Sequence, residues 1–400
     1  MIEPIDDTHE ELEVHNFLSI KKATLQLANI TAIIGPQASG KSVVAKLFYF
    51  GRTYLSSYFN MVYVDEYDTR TFKRRQVEEF LSIFGGLDDV SAPFSITYRI
   101  DDLVIFIERR SEGGKPRLKH SKSLDGVGQR LRREFIRYGK LSGDEDKRRV
   151  TSTYEFRRAH EEVQDFFRSI PQVLFVPASR SFYSTVSEEL FTFLASDERV
   201  DPLTAQFGSF YEFAKRRISG EFHGIPDRKR TLKVRETIEP VIDGNFVRVK
   251  SRDYIETRWG RVPLRSASSG QQEALPLLLS LLEYPVRANR NQLLIVEEPE
   301  AHLFPEAQKY ILDLMARAAR ESSCDLLFTT HSPYVLACLN VHMAKLENEP
   351  RPQIREVSIT AYLSKGGSFE NIVDDDNMID TNALDGVSED IANEYLEAIR

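Results

Sequence analysis

Four hundred residues (46.0 kDa), 41% hydrophobic and 28% charged, describe a folded chain with room for one large α/β domain carrying an inserted lobe, or for two domains of ordinary size. A formal net charge of −8 excludes a surface coated in cations for indiscriminate nucleic-acid binding. The longest apolar stretch in a helical context, Ala274 to Leu282, falls far short of the ~20 residues a membrane span requires, and the acidic start Met1-Ile2-Glu3-Pro4 is unlike a signal segment.

The expectation is therefore a cytoplasmic protein with no membrane partner. Cys324 and Cys338 lie in apolar surroundings without metal-ligand spacing and read as reduced core thiols. Along the chain, Leu12 to Phe17 alternates, and Ile30 to Ile34 is a short buried-strand pattern that runs into a Gly-rich loop. A helix follows from Lys41 to about Tyr54. Phe94–Ile100 and Leu103–Arg109 alternate around Asp101-Asp102 and predict an antiparallel hairpin, forming a β layer beside the strand at 30–34.

From Val127 to Ile170 the chain is charged and helical in character, with a break at Leu141-Ser-Gly-Asp144 and an end at Pro171. Between Lys115 and Arg168 the basic residues Arg130, Arg132, Arg133, Arg137, Lys140, Lys147, Arg148, Arg149, Arg157 and Arg158 outweigh the acids around them. Solvated helix faces explain such runs more often than DNA does, and a local DNA contact through 115–168 stays open. Val173–Val176 reads as a core strand, followed by Pro177-Ala-Ser-Arg180 and an aromatic helical stretch to about Ile218. A second basic, turn-rich segment spans His223 to Arg235, and alternation resumes from Phe246 to Tyr254. Asp374-Asp375-Asp376 reads as a loop. The expected division is 1–110 and 246–400 as two parts of one core, with 111–245 as an inserted helical and basic lobe.

Gly35-Pro36-Gln37-Ala38-Ser39-Gly40-Lys41-Ser42 matches G-x-x-x-x-G-K-[ST] between a predicted strand and a predicted helix. Its glycines let the backbone curl so that successive N–H groups and the positive helix end surround phosphates. Lys41 is placed to bridge the β- and γ-phosphates of ATP, and the Ser42 hydroxyl to take one position on Mg²⁺.

Leu293 to Val296 is an apolar strand ending in Glu297 and Glu298. Strand alternation is expected to point these carboxylates apart, with Glu297 toward Mg²⁺ and Glu298 polarising the attacking water. Pro305 opens a helix whose Ala307, Tyr310, Ile311, Leu314, Met315 and Ala318 recur at helical spacing. Asp325 to Thr330 is a further strand that ends at His331, where a lone histidine is more often structural. Upstream, Ala267-Ser268-Ser269-Gly270-Gln271-Gln272 leads into an apolar helix. Ser268 with Gln271 three residues on is an ordinary capping box, and the same Ser-Gly turn also suits an anion brought by a second subunit. Both readings can hold together. Pro276 costs that helix one backbone bond.

The order of Gly35–Ser42, Ser268–Gln271, Glu297-Glu298 and His331, with Glu-Glu-Pro-Glu-Ala-His-Leu-Phe-Pro at 297–305, resembles the ATPase lobe of the OLD, RecF and Rad50 group. It is most similar to the compact ABC-type ATPases of bacterial anti-phage systems such as PARIS and Septu. The resemblance implies an α/β P-loop ATPase of the ABC type that uses ATP and Mg²⁺, with Glu298 and His331 catalytic. It implies a homodimer or higher homo-oligomer whose Ser268, Ser269, Gly270 and Gln271 face the nucleotide of the opposite copy. It further implies a sensor and scaffold, triggered by a phage protein, that controls a separately encoded effector of Toprim or HNH nuclease type. The alternative is a RecF- or Rad50-like DNA-repair clamp. Ser269 stands where the usual signature has Gly, and Glu297 where Walker B has Asp. A Q-loop glutamine is not assignable: Gln76 lies in a charged helical segment and Gln172 precedes its strand. Arg180 falls where a sensing residue is expected, or pairs with a surface acid. About 70 residues follow His331, too few for a Toprim domain, so nuclease activity is expected on another polypeptide.

Overall fold

Hydrophobic alternation decides how the strands share two cores. The structure, a computed structural model, describes residues 9–63, 68–85, 92–142, 164–184, 201–220, 228–286, 290–348 and 356–379. Three wholly buried strands form its centre, β3 (Ile30–Ile34), β12 (Cys324–Thr330) and β11 (Gln292–Glu297), and the partly buried β7 (Gln172–Val176) lies beyond β11, all parallel. Leu293, Ile295, Leu327 and Ile33 enter one core; Leu294, Val296, Leu326, Phe328, Ile30, Ala32 and Ile34 enter the other. Continuous apolar runs are what strands covered on both faces require.

The first core is closed by α1 (Lys41–Tyr63), α2 (Thr69–Ile83) and α3 (Lys122–Ser142). On the second face lie α4 (Pro202–Ile218), α5 (Arg228–Ile242), α6 (Ser269–Glu283), α7 (Pro305–Glu321) and α8 (Pro333–Asn348). The described parts of 111–245 are thus divided between both faces. In α7 the buried stripe is Ile311, Leu312, Leu314, Met315, Ala316 and Ala319, while Ala307, Tyr310 and Ala318 are half-buried at its margin.

The antiparallel layer comprises β1 (Glu10–Phe17), β2 (Ile20–Gln26), β4 (Phe94–Ile100), β5 (Leu103–Arg109) and β6 (Arg117–His120). It flanks the parallel strands as a continuation of their sheet, in the order β6-β5-β4-β1-β2-β14-β13-β3-β12-β11-β7. The joint is the hairpin of β13 (Ile359–Lys365) and β14 (Ser368–Asn371), with one residue pair, Ser368 with Lys22, on the β2 side. Gly367 O reinforces it by accepting from Lys21 N at 2.8 Å. The α/β P-loop fold with an antiparallel layer is the one expected, with two differences of extent. Helix α1 continues to Tyr63 because Tyr54, Leu55, Tyr58, Phe59 and Val62 prolong its buried face. The alternation from Phe246 is two strands, β8 (Asn245–Val249) and β9 (Arg252–Thr257), paired with β10 (Gly260–Pro263) in a separate small sheet. Lys250 (φ 48°) and Ser251 (φ 64°) make the left-handed two-residue turn without the Asn-Gly sequence that would have announced it.

Candidate nucleotide site

The loop after β3 is held by its neighbours. A side chain at Gly35 (φ +148°) would sit 2.5 Å from Ser364 O, and one at Gly40 (φ +98°) 3.0 Å from Ser19 Oγ, so both positions demand glycine. Ser364 Oγ donates to Ser39 O at 2.6 Å, fixing the loop to β13. Pro36, Gln37, Ala38 and Ser42 remain exposed, whereas Lys41 is buried. Its Nζ donates to Gly35 O (2.8 Å) and Pro36 O (2.7 Å) and lies 3.5 Å from His331 Nδ1. Burial lowers the Lys41 pKa, and the nearby Glu298, Glu300 and Glu297 carboxylates oppose that shift.

Register then brings the acidic residues alongside. Ile34 pairs with Thr330, and Thr329 with Glu297, so the ends of β3, β12 and β11 form one row. The strand carrying the two glutamates is separated from the P-loop strand by β12 alone. Glu297 is 8% exposed. Its Oε2 accepts from Ala178 N at 3.4 Å, and its Oε1 is buried without a hydrogen-bond partner among the described residues. Such an oxygen is costly unless something fills it, and a cation shared with the exposed Ser42 hydroxyl fits that demand.

The two carboxylates do part, but not through the alternation expected. Glu298 has φ +45°, so the chain leaves the strand at that residue. Its N–H still donates to Thr329 O at 3.0 Å. Its Oε1 meets His331 Nε2 at 3.2 Å. With Lys41 the donor at Nδ1, the ring's N–H lies at Nε2 and donates a hydrogen bond to the Glu298 carboxylate. Glu300 holds this histidine in place: its Oε1 accepts from Thr330 Oγ1 (2.6 Å) and His331 N (2.8 Å). Sequence reasoning quoted Glu300 without assigning it a task; its signal was its place in the charged run right after the strand.

Of the two readings open for Arg180, a sensing residue or a partner of a surface acid, burial excludes the second: Arg180 is fully buried. Its guanidinium donates to Glu297 O (2.7 Å), Glu298 O (2.9 Å) and Glu273 O (2.9 Å), while its N–H and that of Ser181 reach the Glu273 carboxylate at 2.9 and 3.1 Å. One side chain therefore ties the end of β11 to the first turns of α6. Glu273 was missed; a lone acid at the head of the run Ala274 to Leu279 was its signal.

The turn at the head of α6 forms the complete capping box. Ser268 Oγ accepts from Gln271 N (3.3 Å), Gln271 Oε1 accepts from Ser268 N (3.0 Å), and Gln271 Nε2 donates to Ile242 O (2.7 Å). Ser269 is exposed, and Gly270 stands where a side chain would lie 3.0 Å from His302 O. Among the described residues no hydrogen bond joins Ser268–Gln271 to Gly35–Ser42. The structure thus gathers the P-loop, Glu297, Glu298 and His331, and leaves the Ser268 turn apart. Gln76 is buried and bonds Glu79 of its own helix at 3.0 Å. Of the basic run, Arg130 and Arg133 are exposed; Lys147, Arg148, Arg149, Arg157 and Arg158 lie outside the described residues, as does part of the expected break at 141–144.

These features define an α/β P-loop ATPase fold. A family model described as "AAA domain, putative AbiEii toxin, Type IV TA system" matches residues 30–337, and the chain belongs to that family. The match runs from β3 into α8 and includes the P-loop, Ser268–Gln271, Glu297, Glu298 and His331, while Ser19 and Ser364, which flank the loop, lie outside it. The OLD nuclease of Thermus scotoductus (strain ATCC 700910 / SA-01) is 44% identical over 39 residues, which span 10% of this chain and 7% of that protein's length. Among solved structures, an SMC head bound to the C-winged helix domain of ScpA aligns with a TM-score of 0.45 at 14% identity, covering 91% of this chain and 96% of that one. The SMC head domain from Thermotoga maritima gives 0.37 at 12% identity over 91% of this chain and 98% of that one.

Proposed function

We propose that the chain binds ATP with Mg²⁺ and hydrolyses it, and that two copies complete each other's sites. The observation that carries hydrolysis is the line Lys41–His331–Glu298, in which one imidazole touches both the lysine of the phosphate loop and a half-exposed carboxylate. On ATP binding, Lys41 exchanges its two carbonyl partners for β- and γ-phosphate oxygens, a stronger charge-assisted contact. Mg²⁺ would be held by Ser42 and Glu297 and would neutralise developing phosphate charge. Glu298 orients and polarises the attacking water, and His331 reaches the γ-phosphate. The N–H groups that open α6 have no partner within their helix and, with Ser269, suit the γ-phosphate held by the other copy. Phosphate release measured with purified protein tests the hydrolysis. Turnover that persists without Mg²⁺ would overturn this assignment.

The resemblance of residues 297–305 supports the larger role of sensor and scaffold in bacterial anti-phage defence, controlling a separately encoded effector of the Toprim or HNH nuclease type. Native mass measurement of the complex with the neighbouring gene product tests it. The expected result is an ATPase oligomer holding the effector, and an ATPase that never co-purifies with it counts against the role. A DNA-clamp function would instead show as salt-dependent DNA binding that weakens when Arg132 and Arg133 are neutralised.

A further inference from the structure

A cleft of about 730 Å³ lies between α2 and the β5–β6 end of the sheet, with no P-loop residue in its lining. Among the described residues Lys73, Arg74, Arg109, Lys115, Arg117 and Lys119 line it against one acid, Glu78. In a chain of net charge −8 this is a marked local reversal of sign. Between the cations the lining is apolar: Val77, Leu81, Pro116 and Leu118. The turn that closes it carries Gly113 (φ +67°), where a side chain would meet nothing within 4 Å, so the backbone there is open to a close ligand.

β6 is the terminal strand, and charged residues on an exposed edge ordinarily serve to block pairing with another sheet. That purpose accounts for Arg117 and Lys119. It does not account for Lys73 and Arg74 on the facing helix, or for Arg109, which is buried and stacked 5.4 Å over the Phe94 ring. Glu108 pairs with Lys119 and with Arg110, each at 2.9 Å, and so offsets part of the charge on the β6 side. Like charges converging on one cleft raise its potential, and an anion relieves it. The volume falls within the ~300–1,000 Å³ typical of small-molecule sites, too small for a duplex. An apolar floor under a cationic rim fits a planar base with attached phosphates better than a purely anionic peptide.

We propose that this cleft binds a phosphorylated nucleoside, either free or as the end of a single nucleic-acid strand. It is a second site: its lining includes no residue of Gly35–Ser42, and four strand steps, about 19 Å at ~4.8 Å per step, separate β6 from β2, whose first residue Ile20 abuts Gly40. The two are nevertheless in mechanical contact. Helix α1 starts at Lys41 and carries Tyr54, whose OH lies 2.6 Å from Nδ1 of His120 at the end of β6.

The test is calorimetric titration of the full chain at low salt with four probes: ADP, a 5′-phosphorylated trithymidylate, tripolyphosphate and hexaglutamate. Wild type should take up a second equivalent of ADP per chain or one of the trinucleotide. The exposed-residue variant Arg74→Ala/Lys115→Ala/Arg117→Ala should lose that equivalent at least tenfold in affinity while keeping the P-loop equivalent. Leu81→Asp should weaken the same equivalent through the floor. Tighter ADP than trinucleotide identifies a free nucleotide, and the reverse a strand end. The proposal is overturned by the lack of any such equivalent, by unchanged affinity in the triple variant, or by tripolyphosphate or hexaglutamate binding as tightly as the nucleotides. Because the P-loop equivalent is counted separately, its loss alone would fault the ATP-site reading and leave this one standing.

Discussion

At the start of α1, the Gly35–Ser42 loop presents exposed backbone while Lys41 is turned inward onto two of the loop's own carbonyls; at the start of α6, Ser268 and Gln271 are exposed or half-exposed yet locked to each other. The first terminus keeps its charged group in reserve on partners that a phosphate can replace. The second uses its hydroxyl to finish its own helix and offers an incoming anion only N–H groups and Ser269. Two similar Gly-containing turns therefore differ in what a substitution should do. At α1 it should alter nucleotide chemistry. At α6 it should alter helix stability first and assembly second.

The largest effect is expected beside the first terminus. Glu298→Gln keeps the size of the side chain and can still meet His331, but the amide cannot polarise water. Turnover should fall by about 10²–10⁴-fold with ATP affinity nearly unchanged. Single-turnover phosphate release and a binding titration check both halves; wild-type turnover would remove Glu298 from the chemistry. Arg180→Ala attacks the link between the two termini. It takes the cation, 3.4 Å away, from the buried Glu273 carboxylate and a donor from four carbonyls, those of Glu273, Pro177, Glu297 and Glu298, and should cost about 3–5 kcal/mol by urea unfolding. Arg180→Lys should recover part of that, since it restores the charge without the planar fork. A cost below about 1 kcal/mol would mean that the link is not a structural support. Lys41→Ala should weaken ATP binding by about 100-fold, since about 2.7 kcal/mol is a fair figure for a charge-assisted contact to phosphate. Unchanged affinity would detach Lys41 from the nucleotide.

The P-loop and the paired glutamates were legible because each is local: a strand, a turn and a helix start in consecutive residues, with little left to tertiary context. The hairpin from Phe94 to Arg109 was legible for the same reason. What escaped depends on distant chain. Ser364 and Ser19, which brace the P-loop, come from opposite ends of the sequence, and β13–β14 has only a Gly-Gly turn to announce it. From sequence Arg180 stays between a sensing role and a surface ion pair, because an Arg near a strand end gives no sign that Glu273 and two strand-end carbonyls will surround it. Glu298 was given its separate direction by the right rule for a strand, whereas a left-handed residue at the strand's end produces it.

The smallest effect decides most sharply what the α6 terminus is for. Ser268→Ala removes the cap and should cost about 1 kcal/mol of stability. Ser268→Asp keeps a capping oxygen and adds a negative charge favourable to the helix dipole, so its stability should equal or exceed wild type by about 0.3–1 kcal/mol. If the turn is only a cap, the order Asp, Ser, Ala in stability should be copied in every assay. If it also faces the γ-phosphate of a second copy, the order must invert for assembly. In a Glu298→Gln background with ATP, Ser268→Ala should still dimerise, because the N–H groups of the first turn survive. Ser268→Asp should not, because a carboxylate would confront the phosphate. Sedimentation of the two variants at equal micromolar concentration separates these cases. An Asp variant that is both more stable and fully dimeric would confine Ser268 to its helix and remove the main support for a shared site.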